Sequence, residues 1–196
     1  MEHIDAAVIG GGQPGPATAH TLLRRGLRSV VLEAPDRAAG AWPRRYDSLT
    51  LFPSARYGSL PGMPFPGADR DRYPHRDEAV ASLAARAGRL DAEIRTGCRV
   101  IALRRTGDGF AVEPEGGGRL SARAVAAASG TSGRPHRPVL PGPQEYAGQV
   151  LHAADHRSPA PSAAVGWSWS GPGTPRCRSP PSSPRRHASR SPPAGR

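Results

Sequence analysis

The chain has 196 residues, with 27 basic and 16 acidic side chains and a formal charge of +11. That length suits one domain with a tail at most, and the 24 glycines and 23 prolines imply that some segment cannot pack. Two cysteines, Cys98 and Cys177, are too few for a disulfide framework or a cysteine-rich zinc site, and no metal cluster, acid/base pair or nucleophile motif stands out. The opening Met1-Glu2-His3-Ile4-Asp5 is not that of a signal peptide, and no apolar run approaches the ~20 residues that cross a bilayer, so a soluble cytoplasmic protein with no membrane partner is expected.

The charge is unevenly spread. Seven arginines and no acid fall from Arg157 onward, which leaves 20 basic and 16 acidic groups in residues 1–156. Every basic residue other than histidine is arginine, as a GC-rich gene would produce.

Residues 1–156 read as alternating strands and helices. Ile4 to Ile9 is a short apolar run of the kind that forms a buried parallel strand. A helix is expected from Pro14 to Arg25, with Ala17, Leu22 and Leu23 facing inward and Pro14 and Pro16 in its first turn, where backbone N–H groups have no helical partner. Gly26 ends it, and Ser29 to Glu33 reads as a second strand. A long loop from Ala34 to His75 follows, rich in glycine, proline and aromatics, and loops of that length are usually functional. Arg76 to Leu90 has helical periodicity in Val80, Leu83, Ala84, Ala87 and Leu90, behind the first-turn acids Asp77 and Glu78. Strands are expected near Arg99–Leu103, Gly109–Val112 and Ala122–Ala128, with turns at Gly107-Asp108-Gly109 and Gly116-Gly117-Gly118.

Gly10-Gly11-Gly12-Gln13-Pro14-Gly15 fits G-x-G-x-x-G between the first strand and the first helix, and Glu33 closes the second strand. In that context the pattern is a dinucleotide-binding fingerprint on an α/β, Rossmann-like βαβ unit. Gly10 permits the tight turn. Gly12 lets the backbone approach a pyrophosphate, which Gln13 and Pro14 would face at the helix start. Gly15 allows close helix–strand packing, and Glu33 would accept hydrogen bonds from a ribose.

The chain resembles the FAD-dependent NAD(P)H oxidoreductases related to flavin-containing and Baeyer–Villiger monooxygenases, over roughly residues 4–161. Val8-Ile9-Gly10-Gly11-Gly12-Gln13 is similar to that family's FAD fingerprint, and Gly40-Ala41-Trp42 to its G-x-W segment, whose Trp lies near the flavin. Trp42 read on its own also has a lesser reading as a core anchor. Tyr46-Asp47-Ser48-Leu49, Leu60-Pro61-Gly62 and Tyr73-Pro74 resemble the loop that follows. Val100 stands where the family's backbone meets the adenine. Ala128-Ser129-Gly130-Thr131 resembles the strand end that touches the cofactor, followed by Arg134-Pro135-His136-Arg137-Pro138. Tyr146-Ala147-Gly148-Gln149-Val150-Leu151-His152 resembles the aromatic-x-Gly-x-x-x-His monooxygenase signature. Two positions depart from the pattern: His156 replaces an aromatic, and Pro16 replaces a small or apolar residue. The resemblance implies FAD as cofactor, NAD(P)H as co-substrate of the full-length protein and a small-molecule substrate. The cofactor-binding set is then Gly10, Gly12, Gln13, Pro14, Gly15, Glu33, Gly40, Trp42, Val100, Ser129, Gly130 and Thr131.

After about Ser158 the composition turns to Ser, Pro, Gly and Arg, and no hydrophobic period survives. A division follows: an incomplete FAD-binding domain over residues 1–161, and a disordered tail over 162–196 with Trp167 and Trp169 exposed. The tail makes better sense in another reading frame. Trp and four-codon Ser both begin with T, and a T in second position encodes only apolar residues. Shifting the frame by one base therefore turns Trp167-Ser168-Trp169-Ser170 into four apolar residues. Gly171-Pro172-Gly173-Thr174 becomes Gly-Ala-Gly-Asn, the start of a second G-x-G-x-x-A turn where the family carries its NAD(P)H motif. One base lost, or two gained, near Ser162 would produce the tail seen. On this reading the chain is a truncated, inactive fragment of an oxidoreductase or monooxygenase. An alternative from another class takes the arginines as a basic arm for nucleic acid on a nucleotide-binding module, but two tryptophans are too few for a stacking platform.

Overall fold

The structure is a computed structural model that describes residues 1–158, apart from 61, 62, 134, 138, 140–144 and 146. The segment 162–196, to which the disordered-tail and shifted-frame expectations apply, lies outside the described residues, as does most of the Leu60-Pro61-Gly62 motif and Tyr146.

The elements alternate as expected from β1 (Glu2–Ile9) through α1 (Pro14–Leu23) to β2 (Ser29–Leu32). After the long loop come α2 (Arg76–Ala87), β3 (Glu93–Arg95), β4 (Val100–Thr106), β5 (Gly109–Pro114) and β6 (Leu120–Ala127). They form one six-stranded sheet in the order β3-β2-β1-β6-β5-β4. β3, β2, β1 and β6 run parallel, with Ile9 opposite both Leu32 and Ala127. β4, β5 and β6 form an antiparallel meander. The two parallel neighbours of β1 are reached in opposite directions along the sheet. A crevice therefore opens beyond its C-terminal end, where open α/β sheets place ligands.

Each sheet face has its own core. On one, Ile4, Ala7, Val30, Leu32, Val112, Leu120 and Ala122 pack together, with Cys98 and Val100 against them. On the other, Val8 and Val31 meet Ala19 of α1. Removing side chains of this size from water stabilises by about 1.5–3 kcal/mol each for the larger ones, which is why β2 is apolar at all but its first position.

The helix faces differ from expectation. In α1 Ala19 is fully buried while Leu23 is exposed, because successive residues turn about 100° around the axis and Leu22 takes the sheet-facing position. In α2 the buried stripe is Ala79, Ser82, Leu83 and Arg86, so of the expected Val80, Leu83, Ala84, Ala87 and Leu90 only Leu83 is buried. The loop decides this. Arg86 donates to the Gly58 carbonyl at 3.1 Å and its guanidinium lies 5.7 Å from the Phe65 ring centre, so the loop packs on the face that carries this arginine. Burial lowers the Arg86 pKa from its ordinary value. β3, at three residues, was not expected from the sequence.

α2 begins with a capping box. The His75 Nδ1 accepts from the Asp77 N–H at 3.3 Å, and the Glu78 carboxylate accepts from the His75 N–H at 2.9 Å. Arg72 approaches the same carboxylate at 2.6 Å. The His75 amide, followed by Arg72, holds the Glu78 pKa below its ordinary 4.5. A depressed carboxylate contributes stability above its unfolded value and loses it as pH falls through the folded one. Glu78→Gln should therefore shed less stability than the parent chain between pH 5 and pH 3, by about 0.5 kcal/mol after allowing for solvent screening. Urea midpoints at the two pH values measure it.

Candidate functional site

The site is built where β1 gives way to α1. Gly10 turns with φ +111°, and a Cβ there would lie 2.4 Å from the Ala128 carbonyl oxygen. A Cβ on Gly15 would lie 1.9 Å from the Gly10 carbonyl oxygen. Both contacts are with backbone, so neither position admits a side chain without moving the chain. Gly40, with φ +58°, faces the turn from the long loop, and a Cβ on it would stand 2.8 Å from the Cα of Gly12. Two backbones thus approach each other here with no side chain between them.

Glu33 leaves the end of β2 and is 4% exposed. Its Oε2 accepts a 2.5 Å hydrogen bond from the Gly11 N–H, across the first turn. Its Oε1 is buried and has no partner. Leaving a buried carboxylate oxygen unpaired costs on the order of 1–3 kcal/mol, which a hydrogen-bond donor carried by a ligand would offset. A ribose hydroxyl is such a donor. The residues present thus fit the adenosine end of a dinucleotide.

Other elements secure this carboxylate. The Glu33 N–H donates to the Arg95 carbonyl at 2.9 Å, and the Cys98 N–H donates to the Glu33 carbonyl at 2.8 Å. The second bond brings the chain past Glu33 just before β4 opens at Val100. There the register breaks between Val100 and Ala102, and the residue opposite Val100 is Pro114, which has no N–H to offer its carbonyl. Ser129, Gly130 and Thr131 follow β6 on the exposed rim, with Gly130 at φ +68°.

No protein-family model matches the chain. Indole-3-pyruvate monooxygenase YUCCA1 of Oryza sativa is 35% identical over 156 residues, covering 78% of this chain and 38% of that protein. A CzcO-like uncharacterized oxidoreductase of Geobacillus kaustophilus is 33% identical over 142 residues, 72% of this chain and 39% of that one. Among solved structures, the flavin-containing monooxygenase of Stenotrophomonas maltophilia is 38% identical with TM-score 0.76, covering 82% of this chain and 48% of its own. The chain is a relative of the flavin monooxygenases. It spans less than half the length of these relatives, and the match lies in their N-terminal half.

Within this flavin-monooxygenase fold, Gly10, Gly12, Gly15, Glu33 and Gly40 come together, and Gln13 and Pro14 stand exposed at the start of α1. Trp42 opens a short 3-10 turn (Trp42–Arg44) and is half-buried. The monooxygenase-like segment docks against the same loop. The Asp47 N–H donates to the Arg157 carbonyl at 2.7 Å, and the His156 ring lies 6.4 Å from that of Tyr46. His156 therefore fills an aromatic role against Tyr46. His152 is half-buried, and its Nδ1 accepts from the Ala154 N–H at 3.0 Å. Arg76 ties α2 to this loop by donating to both Asp47 and the Arg45 carbonyl at 2.7 Å, and its bonds to Asp77 and Asp47 raise its pKa. The sequence did not single out Gly11, because a glycine at the x position carries no motif meaning; the signal is its amide, visible only in the fold. Among the described residues no cluster could hold a metal ion and no helix is long and apolar enough to cross a membrane.

Glu33→Ala should weaken binding of adenosine nucleotides about tenfold to a hundredfold, as expected for losing hydrogen bonds to a charged acceptor. Equilibrium dialysis with ADP measures it, and unchanged binding would remove Glu33 from the site.

Proposed function

We propose that the chain is the FAD-binding part of an NAD(P)H-using flavin monooxygenase or oxidoreductase acting on a small molecule. The observation that carries this reading is the buried, half-satisfied Glu33 carboxylate beside the Gly10–Gly15 turn. When bound, FAD supplies two-electron transfer from NAD(P)H toward oxygen or a second acceptor, chemistry that belongs to the cofactor. The chain's own residues hold and orient it. Glu33 Oε1 accepts from a ribose hydroxyl while Gly11 keeps the carboxylate in place. Gly12 and Gly40 keep side chains away from the pyrophosphate, which Gln13, Pro14 and Gly15 face. Val100 offers backbone groups to the adenine edge. Gly40, Trp42, Ser129, Gly130 and Thr131 would line the flavin end. A steroid monooxygenase of the same fold, 25% identical with TM-score 0.63, is bound to NADP, which supports a nicotinamide co-substrate for the parent activity.

We further propose that residues 162–196 are read out of frame and that the chain as it stands does not turn over. The support is the alternative reading at Trp167–Thr174, which restores an apolar strand and a second glycine-rich turn. Nothing in the described domain favours a nucleic-acid partner over this reading. Titrating FAD into the purified chain should quench flavin fluorescence, while NADPH oxidation stays at the rate of free FAD. Absence of quenching would overturn the cofactor assignment. NADPH oxidation that rises with bound FAD would overturn the inactivity. The nucleotide sequence across codons 158–196 tests the frame.

A further inference from the structure

A helix N-terminus attracts phosphate because its first backbone N–H groups have no intrahelical acceptor. In α1 two of those groups do not exist. Pro14 and Pro16 occupy the first turn, and proline carries no N–H. Between Gln13 and Pro16 only Gln13 and Gly15 keep a donor. Gly15 is pinned against the Gly10 carbonyl, so its amide cannot swing to replace the others. No side chain caps the helix and its first turn holds no acid. Pro16 is fully buried, so its ring is part of the packing under the turn. The ribose end is differently equipped: Glu33 is buried, with one oxygen held by Gly11 and the other without a partner. The cradle is well provided for adenosine and poorly provided for the diphosphate.

We propose that Pro14 and Pro16 set the ligand selectivity of this cradle, shifting its binding from the pyrophosphate to the adenosine half and loosening its hold on FAD. The inference rests on the reading of Gly10–Glu33 as the FAD site. Adenosine then binds within about tenfold of ADP, because the first turn of α1 offers the diphosphate only the Gln13 and Gly15 N–H groups. Restoring the missing donors strengthens only ligands that carry phosphate.

Calorimetric titration of the full chain with adenosine, ADP and FAD tests this, using Pro14→Ala and the Pro14→Ala/Pro16→Ala double variant. In the double variant ADP and FAD should bind about tenfold more tightly, the gain expected from new hydrogen bonds to a charged group, while adenosine stays within about twofold. Pro14 is exposed, so Pro14→Ala alone should give part of the same gain without disturbing the fold. Adenosine binding with no gain for ADP or FAD in either variant would overturn the proposal and leave the site assignment standing. So would a gain shared equally by adenosine. If none of the three ligands binds any of the proteins, the FAD reading itself fails and the proposal fails with it.

Discussion

A single hydrogen bond organises this site: the Gly11 amide, on the turn after β1, donates to the carboxylate of Glu33 at the end of β2. It joins the two strands at the crevice where the parallel sheet changes direction. It also holds a carboxyl group in a buried place with one oxygen unpartnered, which is unfavourable unless that oxygen finds a donor. The glycines around it make the arrangement possible. Gly10 and Gly15 let backbone lie against backbone, and Gly40 closes the rim from the long loop. A side chain at Gly10 or Gly15 would push the turn away and uncouple Glu33 from Gly11.

The rest of the domain holds that pair in place. β3 bonds to the Glu33 N–H through Arg95, and the segment entering β4 bonds to its carbonyl through Cys98. The long loop is fastened to α2 at two places, where Phe65 meets Arg86 and where Asp47 meets Arg76. The segment around His152–Arg157 returns to the same loop at Tyr46 and Asp47. The long loop thus connects the nucleotide turn, the second helix and the monooxygenase-like segment.

Much of this was legible in the sequence because the nucleotide motif is local. An apolar run, a glycine-rich turn, a helix and an acidic strand end fall in order within about thirty residues, and each element follows from its own composition. What escaped was set by tertiary contact. The inward face of α2 carries Ser82 and Arg86, which no apolar periodicity marks, because a loop phenylalanine and a loop carbonyl receive the arginine. Leu23 lies exposed because Ala19 and Leu22 already fill the sheet-facing side of a short helix. β3 is too short to show a period and exists because β2 offers it an edge. His156 departs from the aromatic pattern in residue type, and only the fold brings its ring beside that of Tyr46.

If this site holds a nucleotide, Glu33 Oε1 accepts a hydrogen bond from a ribose hydroxyl. A crystal structure of the chain with bound ADP tests it most directly. The account predicts Glu33 Oε1 within about 3 Å of a ribose hydroxyl, with the Gly11 N–H still on Oε2. A nucleotide bound elsewhere, or a Glu33 carboxylate turned from Gly11 with no contact to the ribose, would contradict it.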